Sequence, residues 1–229
     1  MPAALPVFPL PADTTPHVLY ADKALLVVLK PAGLLSVPGR GENKQDCLLT
    51  RLLPTYPSAR IVHRLDHDTS GLLVLALDAN THRALSRQFH DREVEKRYVA
   101  LALGKIASNS GRIDLPLRYD PPTKPRHVVD VKAGQSALTE WQRLACEATS
   151  EAVSGEAAYS RVALTPHTGR THQLRVHMQA LGHPLLGDSL YAPAEACPPG
   201  SRLCLHAETL GFTHPGHGGW LLFTSPAPF

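Results

Sequence analysis

Ile61-Val62-His63-Arg64-Leu65-Asp66-His67-Asp68-Thr69-Ser70-Gly71-Leu72-Leu73-Val74-Leu75-Ala76-Leu77 holds two apolar runs around a polar break. Short runs rich in Val, Ile and Leu, parted by Asp, Ser and Gly, read as buried strands over 61–65 and 72–77 flanking a turn over 67–71. Asp66 stands where the first strand gives way to the turn, two residues after Arg64. A carboxylate at a strand end can serve as nucleophile or base, and a nearby arginine favours the charged form of such a group. The same pattern suits a turn-capping aspartate in a surface ion pair. On residue chemistry alone both readings stand.

Outward from this stretch the alternation of short strands and turns continues. Strands are expected over 18–20 and 24–30, broken by Ala21-Asp22-Lys23, with Lys30-Pro31-Ala32-Gly33 ending the pairing. A short helix fits 48–53 before Pro54, and an amphipathic one fits 80–90, with Leu85 and Phe89 on one face and Arg83 and Arg87 on another. A strand follows over 96–103. The stretch 116–132 reads as irregular, with Pro121, Pro122 and Pro125 among Arg118, Lys124 and Arg126. Strands are expected over 136–144 and 159–164, joined by a linker rich in Ala, Ser and Glu. Thr168 is the expected cap of a helix reaching Leu181, with Leu174, His177, Met178 and Leu181 facing inward. Further strands lie within 203–223, around a Pro/Gly/His turn over 214–219. Strands outnumber helices and hairpin spacing dominates, so the fold class is α+β with a mixed, largely antiparallel sheet and flanking helices.

The 229 residues are 43% hydrophobic and 19% charged, ordinary values for a globular chain. No apolar run approaches the ~20 residues of a membrane span, so no membrane partner is expected. Residues 1–15 hold four prolines and neither Lys nor Arg. They read as an extended arm rather than a signal peptide, leaving 16–229 as one domain. The four cysteines lack CxxC spacing, which points to reduced thiols and the cytoplasm. The net charge of +3 is mild, but its distribution is uneven. Residues 157–187 contain no acid, yet hold Arg161, Arg170, Arg175 and four histidines. Such a segment suits contact with phosphate, or forms a solvated face balanced elsewhere in the fold.

Several chemistries lack their signals. There is no GxxxxGK[ST], no GxGxxG and no GxSxG in the chain. Asp68-Thr69-Ser70-Gly71 has the look of an aspartic-protease motif, but no second copy exists to pair with it. The 13 histidines form neither an HExxH nor a Cys/His cluster, so no metal is expected.

His63 to Leu73 resembles the HRLDxxTSGLL signature of the RluA family of RNA pseudouridine synthases. Three further segments resemble that family in the same order: Leu29 to Val37 (LKPAGLLSV), Lys96 to Ala100 (KRYVA), and Thr168 to Gly187 (TGRTHQLRVHMQALGHPLLG) followed by Asp188. The resemblance runs from about Val18 to the C-terminus. The run Gly33 to Arg40, the passage Leu190-Tyr191-Ala192 and the lack of a leading S4-type RNA-binding domain are most similar to a compact branch of the family. That branch modifies both large-subunit rRNA hairpins and tRNA anticodon stem–loops.

The resemblance implies the pseudouridine synthase catalytic fold with a central RNA-binding cleft, and conversion of uridine to pseudouridine in structured RNA. It implies Asp66 as the catalytic aspartate and Tyr98 as the active-site tyrosine that stacks on the target base. Arg175 matches the arginine paired with the catalytic carboxylate, and Leu174 the floor of the pocket. Arg64 matches the arginine that enters the RNA stack where the target nucleotide has left. Chemistry at a base requires that extrusion, and a planar guanidinium can stack while it bonds phosphate. Arg83, Arg87, Lys124, Arg126 and Arg170 would then follow the RNA backbone, or remain ordinary solvated charges. Isomerisation needs no redox partner or phosphate donor, so no cofactor is expected. His63 and His172 are expected to be structural, Trp141 and Trp220 to belong to the core, and Cys47 to packing. A monomer is the default. The rival reading is a non-catalytic RNA-binding protein that keeps the fold; the joint presence of Asp66, Tyr98 and Arg175 argues against it.

Overall fold

A computed structural model describes residues 5–147 and 159–229; residues 1–4 of the arm and 148–158 of the linker lie outside the described residues. The elements in chain order are β1 (His17–Ala21), β2 (Leu25–Lys30), α1 (Leu48–Leu52), β3 (Arg60–Ile61), β4 (Ser70–Ala76), α2 (Ala79–Asp91) and β5 (Glu95–Leu103). They continue with β6 (Ser110–Asp114), β7 (Leu117–Tyr119), β8 (His127–Val129), β9 (Leu138–Glu147), β10 (Tyr159–Pro166), α3 (Gln173–Ala180), β11 (Leu205–Thr213) and β12 (Trp220–Thr224). Among the described residues no helix is long and apolar enough to cross a membrane. Two compact units are interleaved along the chain. One, residues 11–96 and 206–228, carries Asp66; the other, within 1–10, 97–205 and 229, carries Tyr98 and Arg175.

In the Asp66 unit, β1 and β2 form an antiparallel hairpin, and β2 pairs antiparallel with β4 from Leu25↔Ala76 to Lys30↔Gly71. The two-residue β3 also pairs antiparallel with β4, and β12 with β11. Strand β11 meets β4 in parallel at His206↔Ser70 and Ala207↔Gly71. The fold is therefore mixed but mostly antiparallel. All seven residues of β4 are buried, which is why its sequence from Leu72 to Ala76 is continuously apolar rather than alternating. Gly71 has φ 124, and a Cβ there would lie 2.4 Å from the backbone N and O of Ala207. Only glycine lets the two strands meet at this point. Helix α2 is capped by Asp78, whose carboxylate accepts the Asn80 and Thr81 N–H groups. It lays Leu85 and Phe89 on a core of Leu25, Leu72, Val74 and Phe212. Leu85 is fully buried, so its truncation to Ala costs about 2–5 kcal/mol.

In the Arg175 unit, β5, β10, β9 and β6 lie side by side and antiparallel. Helix α3 sets Leu174 and Met178 on a core that includes Ala100, Trp141, Val162 and Leu164. Strands β7 and β8 form a separate two-stranded hairpin. Part of the N-terminal arm is built into this unit: the Arg202 N–H bonds the Phe8 carbonyl at 2.7 Å, and Phe8 packs edge-on to Phe229.

The structure corrects several expectations. Residues 62–66 are not a strand; only Arg60 and Ile61 pair. The stretch 116–132 is not wholly irregular, because it contains β7 and β8, and β6 was not anticipated. Thr168 does not cap α3. Its hydroxyl accepts the Leu138 N–H and donates to the Gln173 side chain, while His172, at φ 56, occupies the cap position. Trp141 is core as expected, but Trp220 is 50% exposed.

Candidate active site

After β3 the chain leaves the sheet and crosses to β4 as a loop pinned from inside. The His63 ring stacks on Phe89 at 4.3 Å, and its Nε2 accepts the Val74 N–H. Burial, reinforced by the charge of Lys96, pulls its pKa down to about 3, so the ring is neutral. Leu65 is buried. Its carbonyl accepts the Ser36 hydroxyl at 2.8 Å, and its N–H donates back to the same oxygen at 3.1 Å. The Thr69 N–H closes the turn on the Asp66 carbonyl, and the Ser70 hydroxyl bonds His206 Nδ1 at 2.7 Å. Arg64 and Asp66 thus flank an anchored residue, with Arg64 exposed and Asp66 partly buried. Asp68 engages its neighbour His67 at 2.6 Å.

A second clamp comes from the Leu29–Val37 segment. Lys30 is fully buried, and its Nζ donates to the carbonyls of Pro31, Leu34 and His67 at 2.8, 2.7 and 3.1 Å. The Gly33 N–H also reaches the His67 carbonyl. An ammonium is tolerated inside a protein when its donors find such acceptors. The sequence marked this segment as a motif without revealing that it grips the residue after Asp66.

In the other unit, Tyr98 lies on β5 opposite Leu164 of β10 and packs against the cluster that contains Leu174. The next residue of α3, Arg175, is 2% exposed. Its Nε and Nη2 donate to the two carboxylate oxygens of Asp188 at 2.7 and 2.6 Å. Asp188 Oδ1 also accepts the N–H groups of Leu190 and Tyr191. The Tyr191 ring sits 5.1 Å from the Arg175 guanidinium carbon. The Tyr191 hydroxyl accepts the His127 main-chain N–H and bonds His172 Nδ1, both at 2.8 Å. Within its unit Arg175 is therefore seated by Asp188 and Tyr191, to which the sequence reading gave no role. Their signal was the resemblance to the family that Asp188 and the passage Leu190-Tyr191-Ala192 carry, which marks the residues but not what they hold.

The remaining basic residues fall into two groups. Arg83 and Arg87 lie on the exposed side of α2, tied to Asn80 and Asp91 of the same helix. Lys124 and Arg126 stand exposed between β7 and β8. Arg170 is exposed in the turn before α3, its Nε donating to the Ser136 carbonyl at 3.0 Å.

Comparison with known proteins bears on this arrangement. The sequence profile of a family described as RNA pseudouridylate synthase matches residues 24–180. The dual-specificity RNA pseudouridine synthase RluA of Escherichia coli strain K12 is 48% identical over 212 residues, covering 93% of each chain. The protein of the same name from Pasteurella multocida is 42% identical over 219 residues, covering 96% of each. Among solved structures, human RNA pseudouridylate synthase domain containing 1 superposes with a TM-score of 0.76 at 30% identity, over 96% of this chain and 86% of that one.

Proposed function

This chain belongs to the RNA pseudouridylate synthase family, and from that premise we propose that Asp66 is the carboxylate with which it isomerises uridine in RNA. The protein is an isomerase acting on RNA. In the overall change the bond from N1 to C1′ of the ribose breaks and one from C5 to C1′ forms. The C5 proton leaves and N1 gains a proton, so nothing is consumed. Asp66 serves either route to that exchange, attack by its oxygen or removal of a sugar proton to give a glycal. Tyr98 stacks on the base and assists loss of the C5 proton. Arg175 supplies the guanidinium that steadies negative charge, and Leu174 the apolar floor.

The observation that carries the reading is the double clamp on the Asp66 loop. Ser36 fixes the residue before the carboxylate, and Lys30 with Gly33 fixes the residue after it. A reactive carboxylate has to be held in a fixed pose for this chemistry, whereas an RNA-binding surface needs no such constraint. The exposure of Arg64 beside this anchor supports its role as the side chain that fills the vacated place in the RNA stack. Arg83, Arg87, Lys124, Arg126 and Arg170 hold the RNA backbone.

The proposed substrates are a large-subunit rRNA hairpin and a tRNA anticodon stem–loop, in keeping with the dual specificity named for the E. coli and P. multocida relatives. The proposed setting is a monomer in the cytoplasm; four free cysteines support a reducing compartment. The test is pseudouridine mapping of cellular RNA with and without the protein. Loss of one site in each RNA class is expected, and loss in a single class would narrow the substrate range.

A further inference from the structure

Between the β7–β8 hairpin and the turn 169–171, both in the Arg175 unit, lies a groove of about 330 Å³. It is at the small end of the ~300–1,000 Å³ typical of ligand sites. Its floor is Leu117, which is buried with Ala137, Val176 and Tyr191 in a cluster of its own, separate from the one that bears Tyr98 and Leu174. One wall is aromatic: Tyr119 is 39% exposed, with its ring 5.5 Å from that of His127. The opposite rim carries Arg170. Its Nε is anchored on the Ser136 carbonyl, and its Nη nitrogens meet no acceptor among the described residues. Arg118, also in the wall, is balanced by Asp130 at 2.6 Å, so Arg170 is the cation presented to an incoming anion. Gln135 is exposed at the edge, with an amide able to donate and accept.

We propose that this groove is a second nucleotide subsite, which takes an unstacked nucleotide of the RNA substrate other than the uridine that reacts. Its base stacks on Tyr119 against His127, and its phosphate meets Arg170. The proposal rests on the RNA-isomerase reading and deepens it. Single-stranded RNA is held by this pairing of aromatic faces with cations. The two rims are fixed before RNA arrives. The His127 N–H ties the hairpin to the Tyr191 hydroxyl, and Tyr191 in turn holds His172 just beyond the 169–171 turn. A preformed groove binds without first ordering its walls. This gives the hairpin a task beyond neutralising phosphate, since it recognises how the substrate loop splays its bases.

The test uses the full-length protein and stem–loop RNAs of both proposed classes, with a 5-iodopyrimidine or 8-azidopurine at each unpaired position in turn. After irradiation, the crosslinked peptides are mapped by mass spectrometry. One loop position other than the modified uridine is expected to crosslink to Tyr119 or His127. In parallel, Tyr119→Ala should raise KM about tenfold, the effect of one lost base stack, with kcat unchanged, while Tyr119→Phe behaves as wild type. Crosslinks that avoid 117–119, 127 and 169–171, or an unchanged KM in Tyr119→Ala, overturn the subsite whether or not isomerisation occurs. Groove crosslinks without any pseudouridine would sustain the subsite and count against the isomerase reading instead.

Discussion

Arg175 and Asp188 meet edge to edge in the interior, with two hydrogen bonds of 2.7 and 2.6 Å and side-chain exposures of 2% and 0%. A buried guanidinium–carboxylate pair of this geometry holds its arginine in one pose. Asp188→Asn leaves the Arg175 charge buried against a neutral amide, and also disturbs the turn whose Leu190 and Tyr191 N–H groups the carboxylate accepts. Unfolding in urea should show a loss of about 3–5 kcal/mol. Arg175→Lys keeps the charge but cannot form both bonds, and should fall between that variant and wild type.

Lys30 gives a second prediction. Lys30→Met keeps most of the buried stem but removes the three donors to Pro31, Leu34 and His67. The expected loss of stability is about 2–4 kcal/mol, read by urea unfolding. Because one of those acceptors is the residue after Asp66, activity measured well below the unfolding midpoint should fall as well. A variant of normal activity and reduced stability would mean that Lys30 supports the fold and not the loop.

His63 makes stability depend on pH. Its folded pKa of about 3 lies below the ordinary 6.5, so the unfolded chain binds the extra proton between those values. Its contribution is complete above about pH 6.5 and is lost as pH falls toward 3. The ring keeps some exposed surface, so we expect about 1–2 kcal/mol of that loss between pH 6.5 and 5. Burial raises the Asp22 pKa, but its hydrogen bonds from Leu25, Ala24, Tyr20 and His214 outweigh that and hold it at about 2; its own loss comes below this window. Denaturation at pH 5 and 7 should show a flatter dependence in His63→Gln than in wild type.

How much of this was legible beforehand depended on whether local sequence or distant contact decided each element. The β1–β2 hairpin was readable as two short apolar runs parted by Ala21-Asp22-Lys23, and α2 because its apolar positions repeat with the period of a helix. Strand β6 was not. Its only large apolar residue is Ile113, and Gly111 leaves room for the Trp141 indole of β9, which lies 2.7 Å from where a Cβ would be. The hairpin of β7 and β8 was hidden by the prolines between its strands. The expected strand over 61–65 rested on Ile61, Val62 and Leu65, yet Leu65 takes its backbone bonds from Ser36, 29 positions away. The same divide holds in the site. Asp66 stands out in its motif, while the seating of Arg175 by Asp188 and Tyr191 arises only once α3 and the following turn are packed together.

The most direct measurement of the central claim is pseudouridine formation by purified Asp66→Asn, assayed on the RNA that the wild-type protein modifies, with RNA affinity measured alongside. Asparagine keeps the shape of the side chain and the backbone bonds of the loop while removing the carboxylate. A loss of rate of at least about a hundredfold with affinity retained is the predicted result. Activity near wild type in Asp66→Asn would contradict the assignment of Asp66 as the catalytic carboxylate.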